Sequence, residues 1–328
     1  MTRISETQAQ RQLVSRTIEN KKRVNTFANQ VASGVKAALP SDSVDAGTIA
    51  RYKHTLDKID SYTTTIQRTK SFLTFQDDVL SQASDLLVRA KEIAQQGANG
   101  SVNNTARAHL AEEVYQIRDH MASLANSTYQ SRFVYGGADD DDPPYDVAAY
   151  TEPSSGPAQT RYVFDAELGT ATINTLNVTD DLSIAMNTPA NKVFGGAIEA
   201  LERLGRSLAG YSTTPSSGTP DGGGVAYTFP TDYQTQTAAI LSSINQLNVS
   251  RDNDILPERV SVGGRLRRLE TGESLLSLTK NSALEVLSRI QDADETESAA
   301  NLAQAQTALQ ASYAVTAKVL RLTILDYI

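Results

Sequence analysis

Through the first third of the chain, apolar residues return every seven positions: Tyr52, Ile59, Ile66, Leu73, Leu80 and Leu87. A spacing of seven held that long predicts one helix with a continuous seam turned toward partner helices. Ile49 and Leu56 fill the complementary seam position at the start, but Thr63, Lys70, Asp77 and Ser84 take it over further on. A half-apolar seam of this kind suits a helix packed among several others. Running from about 45 to 96, it would be roughly 75 Å long at 1.5 Å per residue, which is a rod.

Helical spacing also marks both ends of the chain. Residues 1–38 hold no proline, and Val14, Ile18, Val24, Phe27 and Val31 recur at roughly three-to-four spacing. Gly34 and Leu39-Pro40-Ser41-Asp42 break that helix, and Asp42 or Ser43 is a suitable cap for the next. Gly97-Ala98-Asn99-Gly100 ends the rod. A third helix over about 104–128, with Leu110, Val114, Ile117, Met121 and Leu124 on one face, should fold back antiparallel. Near the other end, Ile240, Ile244, Leu247, Leu266, Leu269, Leu276, Leu284 and Leu287 restore the helical period, and Pro257 should kink or interrupt the run. The last helix carries Leu302, Ala305, Leu309, Tyr313, Ala317, Leu320 and Ile324 at a mean step near 3.6.

The middle has a different texture. Short β-type runs, Arg161-Tyr-Val-Phe164 and Thr170-Ala-Thr-Ile-Asn174, stand among Pro, Gly, Asp and Ser clusters. One helix near 191–209 interrupts them, with Val193, Ile198, Leu201, Leu204 and Leu208. The predicted fold is mainly α: a long antiparallel helical bundle or coiled coil formed by the N- and C-terminal regions, with an inserted β-rich domain. Its parts are a terminal coiled-coil polymerisation domain (1–44 and 285–328), a helical rod domain (45–137 and 233–284) and an inserted outer domain (138–232).

Composition narrows the function. Aromatics are 6% and Trp is absent, which favours thin helical layers over one thick core. With no cysteine there is no disulfide, thiol nucleophile or Cys-based metal site. The start, Met1-Thr2-Arg3-Ile4-Ser5-Glu6, lacks a secretory apolar core, and no stretch approaches 18 apolar residues, so membrane insertion is not expected. The net charge of −8 hides a gradient. Residues 1–70 hold twelve Lys/Arg against six Asp/Glu, and residues 138–240 hold four against fourteen. The basic charges lie along helices without interleaved aromatics, so a nucleic-acid partner is not expected.

Candidate chemistry is sparse. Asp139 to Asp142 lacks the spaced pattern that wraps calcium and reads as a solvated turn. His109 and His120 are eleven residues apart, some 16 Å along one helix, too far to share a metal, and His54 stands alone. Val262-Gly-Gly-Arg-Leu-Arg-Arg268 has no Gly-Lys-Ser/Thr ending, so it reads as a helix packed closely at its glycines. Tyr313 and Tyr327 read as packing residues of a terminal helix layer. No catalytic constellation stands out, and neither enzyme activity nor a cofactor is expected.

Three stretches resemble the flagellin superfamily. The first is Arg3-Ile4-Ser5 with Ala32-Ser33-Gly34 and Pro40-Ser41-Asp42. The second is Leu124-Ala125-Asn126, then Arg132-Phe133-Val134-Tyr135-Gly136-Gly137 and Pro144-Tyr145. The third joins Val262 to Leu266, Ile290-Gln-Asp-Ala-Asp294, Gln306 to Ser312, and Leu322-Thr-Ile-Leu-Asp-Tyr-Ile328. The Leu-Asp-Tyr-Ile ending is similar to the hook–filament junction branch rather than to filament flagellins, which typically end in Val-Leu-Ser-Leu-Leu; a filament-forming flagellin is the alternative. The resemblance implies a non-enzymatic subunit of the extracellular bacterial flagellum, exported by flagellar type III secretion. It also implies partners: further copies in a ring or helical polymer, hook-associated protein 1, flagellin, and a cytoplasmic export chaperone. Read physically, the two terminal stripes have nothing to cover them, so the ends should be loose in a monomer and ordered on assembly. The candidate polymerisation residues are Val14, Ile18, Val24, Phe27, Val31, Leu302, Leu309, Tyr313, Leu320 and Ile324. Of these, Leu309, Tyr313 and Leu320 are the candidate chaperone contacts.

Overall fold

A computed structural model describes residues 6–36, 46–137, 141–151, 158–164, 175–180, 182–186, 188–211, 227–229 and 231–325. The chain is mainly helical. Its elements are α1 (Glu6–Ser33), α2 (Ala46–Ala98), α3 (Asn104–Ala125), β1 (Thr128–Tyr129), β2 (Arg132–Phe133), β3 (Tyr145–Thr151), β4 (Ala158–Phe164), β5 (Thr175–Asn177), β6 (Ser183–Ala185), α4 (Ala190–Ala209), α5 (Tyr233–Ser250), α6 (Leu256–Gln291) and α7 (Glu295–Leu325). They group into two compact units, residues 1–61 with 275–328, and residues 62–274. The proposed caps Asp42 and Ser43 and the run 170–174 lie outside the described residues.

Helix α2, 53 residues long, buries its sevenfold positions: Ile59, Ile66, Leu73, Leu80 and Leu87 are all within 4% of full burial. The second buried row is not the one expected. It is Thr69, Gln76, Ala83, Ala90 and Gly97, three residues after each anchor, whereas Lys70, Asp77 and Ser84 stay at the margin. Two of those marginal residues make ion pairs at the edge, Lys70 with Glu273 at 3.0 Å and Asp77 with Arg259 at 3.0 Å. The inner row is small or polar because neighbours approach it closely. Gln76 donates to the Met186 carbonyl at 3.3 Å, and a Cβ on Gly97 would collide with Leu208.

Helix α3 begins at an Asn103 cap, whose side chain accepts from the Ala106 N–H, and turns back along α2. Arg89 meets Glu113 at 2.6 Å, and Leu110 sits beside Gly97. Helix α4 falls within the stretch that the sequence marks as an insertion, yet it packs on α3 and α5. Val193, Ile198, Leu201, Leu204 and Leu208 are all buried there. The α3–α4 contact holds the buried guanidinium of Arg118, which donates to Glu202 at 2.5 Å and Asp119 at 2.8 Å and lies over the Tyr115 ring at 4.7 Å. Gly205 is required here, since a Cβ would stand 2.5 Å from that ring.

The described strands form three antiparallel pairs: β1 with β2, β3 with β4 and β5 with β6. The first is a hairpin whose turn residues, Gln130 and Ser131, have φ of 52° and 67°, the mirror-image turn that suits twisted strands. Beyond it Tyr135 is buried, its ring against Phe194 at 4.9 Å, and its carbonyl accepts the Ala190 N–H. Asn126 accepts the Tyr145 N–H at 2.9 Å and donates to its carbonyl at 2.7 Å, fixing where β3 leaves the helices.

Two local expectations are modified. The α-helical ladder is interrupted just before Pro257, but the helix does not end there. A single π-helical turn, Arg251–Ile255, precedes the proline, and the Leu256 N–H reaches back five residues to the Arg251 carbonyl. Widening the turn shifts the ladder at the point where proline offers no N–H, so the helix continues to Gln291. Gly263 and Gly264 do not mark close packing either, because a Cβ at either would meet nothing within 4 Å.

Candidate assembly surface

The ends of the chain meet in the first unit. The turn after α1 is set by Gly34, at φ +69°, a conformation that favours glycine. It is pinned to the α6–α7 turn by three backbone contacts: Lys36 N–H to the Gln291 carbonyl at 2.7 Å, Ala293 N–H to the Gly34 carbonyl at 2.8 Å, and the Val35–Asp292 bridge. Asp294 then caps α7, accepting from the Thr296 and Glu297 N–H groups. From there α1 and α7 pack antiparallel. A second tie lies along the pair, where Asn20 donates to Ser312 at 2.6 Å. One polar contact inside an apolar seam fixes register better than it adds stability.

The seam is shallow. On α1 it uses Leu13, Thr17, Asn20, Val24 and Phe27, all only half-buried. On α7 Ser298 and Ala305 are buried, while Leu302, Leu309, Ser312 and Thr316 are half-buried. The candidate polymerisation residues therefore fall in different places. Val24, Phe27, Leu302 and Leu309 face the α1–α7 seam. Val14 and Ile18 stand on another side of α1, 51% and 57% exposed, and Val31 is 39% exposed. Tyr313 is 52% exposed, and Val315, which the sequence reading did not single out, is 48% exposed. Leu320 and Ile324 lie on α7, but their side chains, like Tyr327, fall outside the described residues. In the same unit Leu275, Leu278 and Leu284 of α6 also present apolar side chains to solvent. Of these the sequence placed only Leu284 in its helical period, and Leu275 and Leu278 stand beside the Leu276 that it did single out.

Among the described residues no three His, Cys, Asp or Glu side chains gather as a metal site, and no helix is long and apolar enough to cross a membrane. His54, His109 and His120 are exposed.

Residues 251–328 match the bacterial flagellin C-terminal helical region. Over 293 residues, 88% of this chain and 87% of the relative, the sequence is 25% identical to flagellar hook-associated protein 3 of Escherichia coli strain K12. Most of the chain is thus similar to hook-associated protein 3, and its last part to the flagellin C-terminal region. Two solved structures share its fold. Bacillus cereus FlgL covers 73% of this chain and is itself covered to 99%, with a TM-score of 0.54 and 16% identity. The Legionella pneumophila flagellar hook associated protein-3 covers 74% and is covered to 98%, with a TM-score of 0.50 and 19% identity. The flagellin-type match starts at the π-helical turn and runs through α6 and α7. It thus holds the α7 half of the terminal pair and both open glycines.

Proposed function

We propose that this chain is a structural subunit of the bacterial flagellum, positioned at the hook–filament junction, and that it is not an enzyme. The likeness to hook-associated protein 3 along 88% of the chain carries this reading. The alternative, a filament-forming flagellin, shares the C-terminal match but not that near-full-length relative. On this reading copies of the chain polymerise as a ring or helical layer on hook-associated protein 1 and present a surface on which flagellin begins to assemble. The terminal pair is the polymerisation element. Its seam is thin and its flanks carry Val14, Ile18, Tyr313 and Val315, so lateral contact with further helices would bury apolar area that water now covers. Before export, Leu309, Tyr313 and Leu320 would form the strip held by a cytoplasmic chaperone. Export would follow the flagellar type III route. The inserted stretch 138–232 would carry the outward-facing strands.

Tyr313→Asp tests this. The side chain is half exposed, so the folded chain should keep its helix content. In an assembled layer the same change places a charge in a desolvated contact, at a cost of several kcal/mol. Cells carrying only this variant should make and export the protein, attach no filaments, and release flagellin into the medium. Normal filaments on those cells would remove α7 from the polymerisation surface.

A further inference from the structure

The second unit contains a buried cation that has no ion pair among the described residues. Arg107, in the first turn of α3, is 1% exposed. Arginine is almost never this buried unless it is paired. Arg118, equally deep on the same helix, follows the rule with two carboxylates, which hold its pKa up against burial. Among the described residues the hydrogen-bond partners of Arg107 are neutral. One terminal nitrogen donates to Gln236 Oε1 and the other to Thr237 Oγ1 at 3.3 Å, and the Tyr233 ring lies 5.8 Å away. Its Nε has no acceptor at all. Burial accordingly pushes the Arg107 pKa down, with Tyr233 opposing weakly.

The same guanidinium lines a cavity of about 630 Å³ between the α2–α3 turn and the start of α5. Asn103, Gln234 and Thr237 offer polar groups there, and Val102, Tyr233 and Leu241 form an apolar wall. Asp232, the residue before α5, does not cap that helix; its carboxylate accepts the Thr228 N–H instead. The positive end of α5 therefore borders the cavity without a side-chain cap. We propose that this cavity binds a carboxylate on a short aliphatic stem, a glutamate-type group, with the Arg107 guanidinium beneath it as the counter-charge. An anion here would pair with the guanidinium, while its stem would lie on the apolar wall. The source is either a free acid or a glutamate of a second copy. The site stands independently of the flagellar reading.

The test uses the full chain and the nitrogen signal of Arg107 Nε. N-acetyl-glutamate amide should shift that signal saturably and raise the melting temperature, by about 5 °C at a hundredfold excess over Kd. N-acetyl-glutamine amide and chloride at matched ionic strength should do neither. Thr237→Glu, which supplies a carboxylate from inside the cavity, should abolish the response. A shift that also develops with protein concentration alone, and is competed by the free acid, assigns the carboxylate to a second copy; a shift seen only with added acid assigns it to a free ligand. No saturable shift, or equal effects from the glutamine control, would overturn the proposal.

Discussion

The α1–α7 pair and the α3–α4 contact are both long antiparallel helix pairings, and they are built to opposite specifications. In α4 one whole face is sealed: Val193, Phe194, Leu201, Leu204 and Leu208 are each at most 1% exposed, with a guanidinium–carboxylate cluster closed beneath it. No described side chain of α1 is fully buried, and on α7 only Ser298 and Ala305 are. Helix propensity alone does not hold isolated helices of this length, so the stability of each pair follows the area it seals. The α3–α4 contact is a finished core, whereas the α1–α7 pair is a register held by Gly34, Asp294 and the Asn20–Ser312 bond, waiting for more surface.

Hydrogen exchange should break this comparison most sharply. Amides of α3 and α4 should open only with global unfolding, while those of α1 and α7 open locally, a difference of about a thousandfold or more in protection. Equal protection in dilute solution would mean that the terminal pair is already a complete core. Substitution probes the same contrast at smaller scale. Leu204→Ala, at a fully buried site, should cost about 2–5 kcal/mol by denaturant titration. Leu309→Ala, at a half-buried site, should cost less in the monomer, about 1–2 kcal/mol, since part of that side chain is still wet. A larger loss at Leu309 than at Leu204 would reverse the assignment of which pair is finished.

Much of this organisation was legible in the sequence because strong apolar side chains advertise their own burial. Ile66, Leu73, Leu80 and Leu87 marked the α2 seam, and Val193 to Leu208 marked α4. The second row of α2 was missed because Thr69, Gln76, Ala83 and Gly97 are chosen for closeness of approach, which hydrophobicity does not report. On α1, the sequence joins Val14 and Ile18 to Val24, Phe27 and Val31 in one stripe, and the structure leaves Val14 and Ile18 outside the seam with α7. Leu13, Thr17 and Asn20 hold it instead, because a half-buried two-helix contact tolerates polar groups at its margin. Arg107 carried no signal: a lone arginine on a helix with exposed neighbours reads as surface until the fold closes over it. Asn126, by contrast, was noticed only through its resemblance motif, and the structure supplies the cause in its two bonds to Tyr145.

The smallest expected effect concerns glycines, and its sign separates a sealed position from two open ones within the second unit. Gly205→Ala drives a methyl into the Tyr115 ring and should destabilise the sealed body. Gly263→Ala and Gly264→Ala meet open space inside a helix, so each should stabilise the folded chain by about 0.5–1 kcal/mol through lower unfolded-state entropy and better helix propensity. Thermal unfolding of the single variants reads both signs directly. The open pair also bears on assembly, because exposed glycines on a long helix otherwise cost stability without return. If that side of α6 packs against a neighbour in the flagellum, the alanine variants should be more stable as monomers and yet assemble less well. Loss of stability at Gly263 or Gly264 in the isolated chain would show that these positions are already packed, and unchanged assembly by the stabilised variants would leave that face of α6 free in the assembled state.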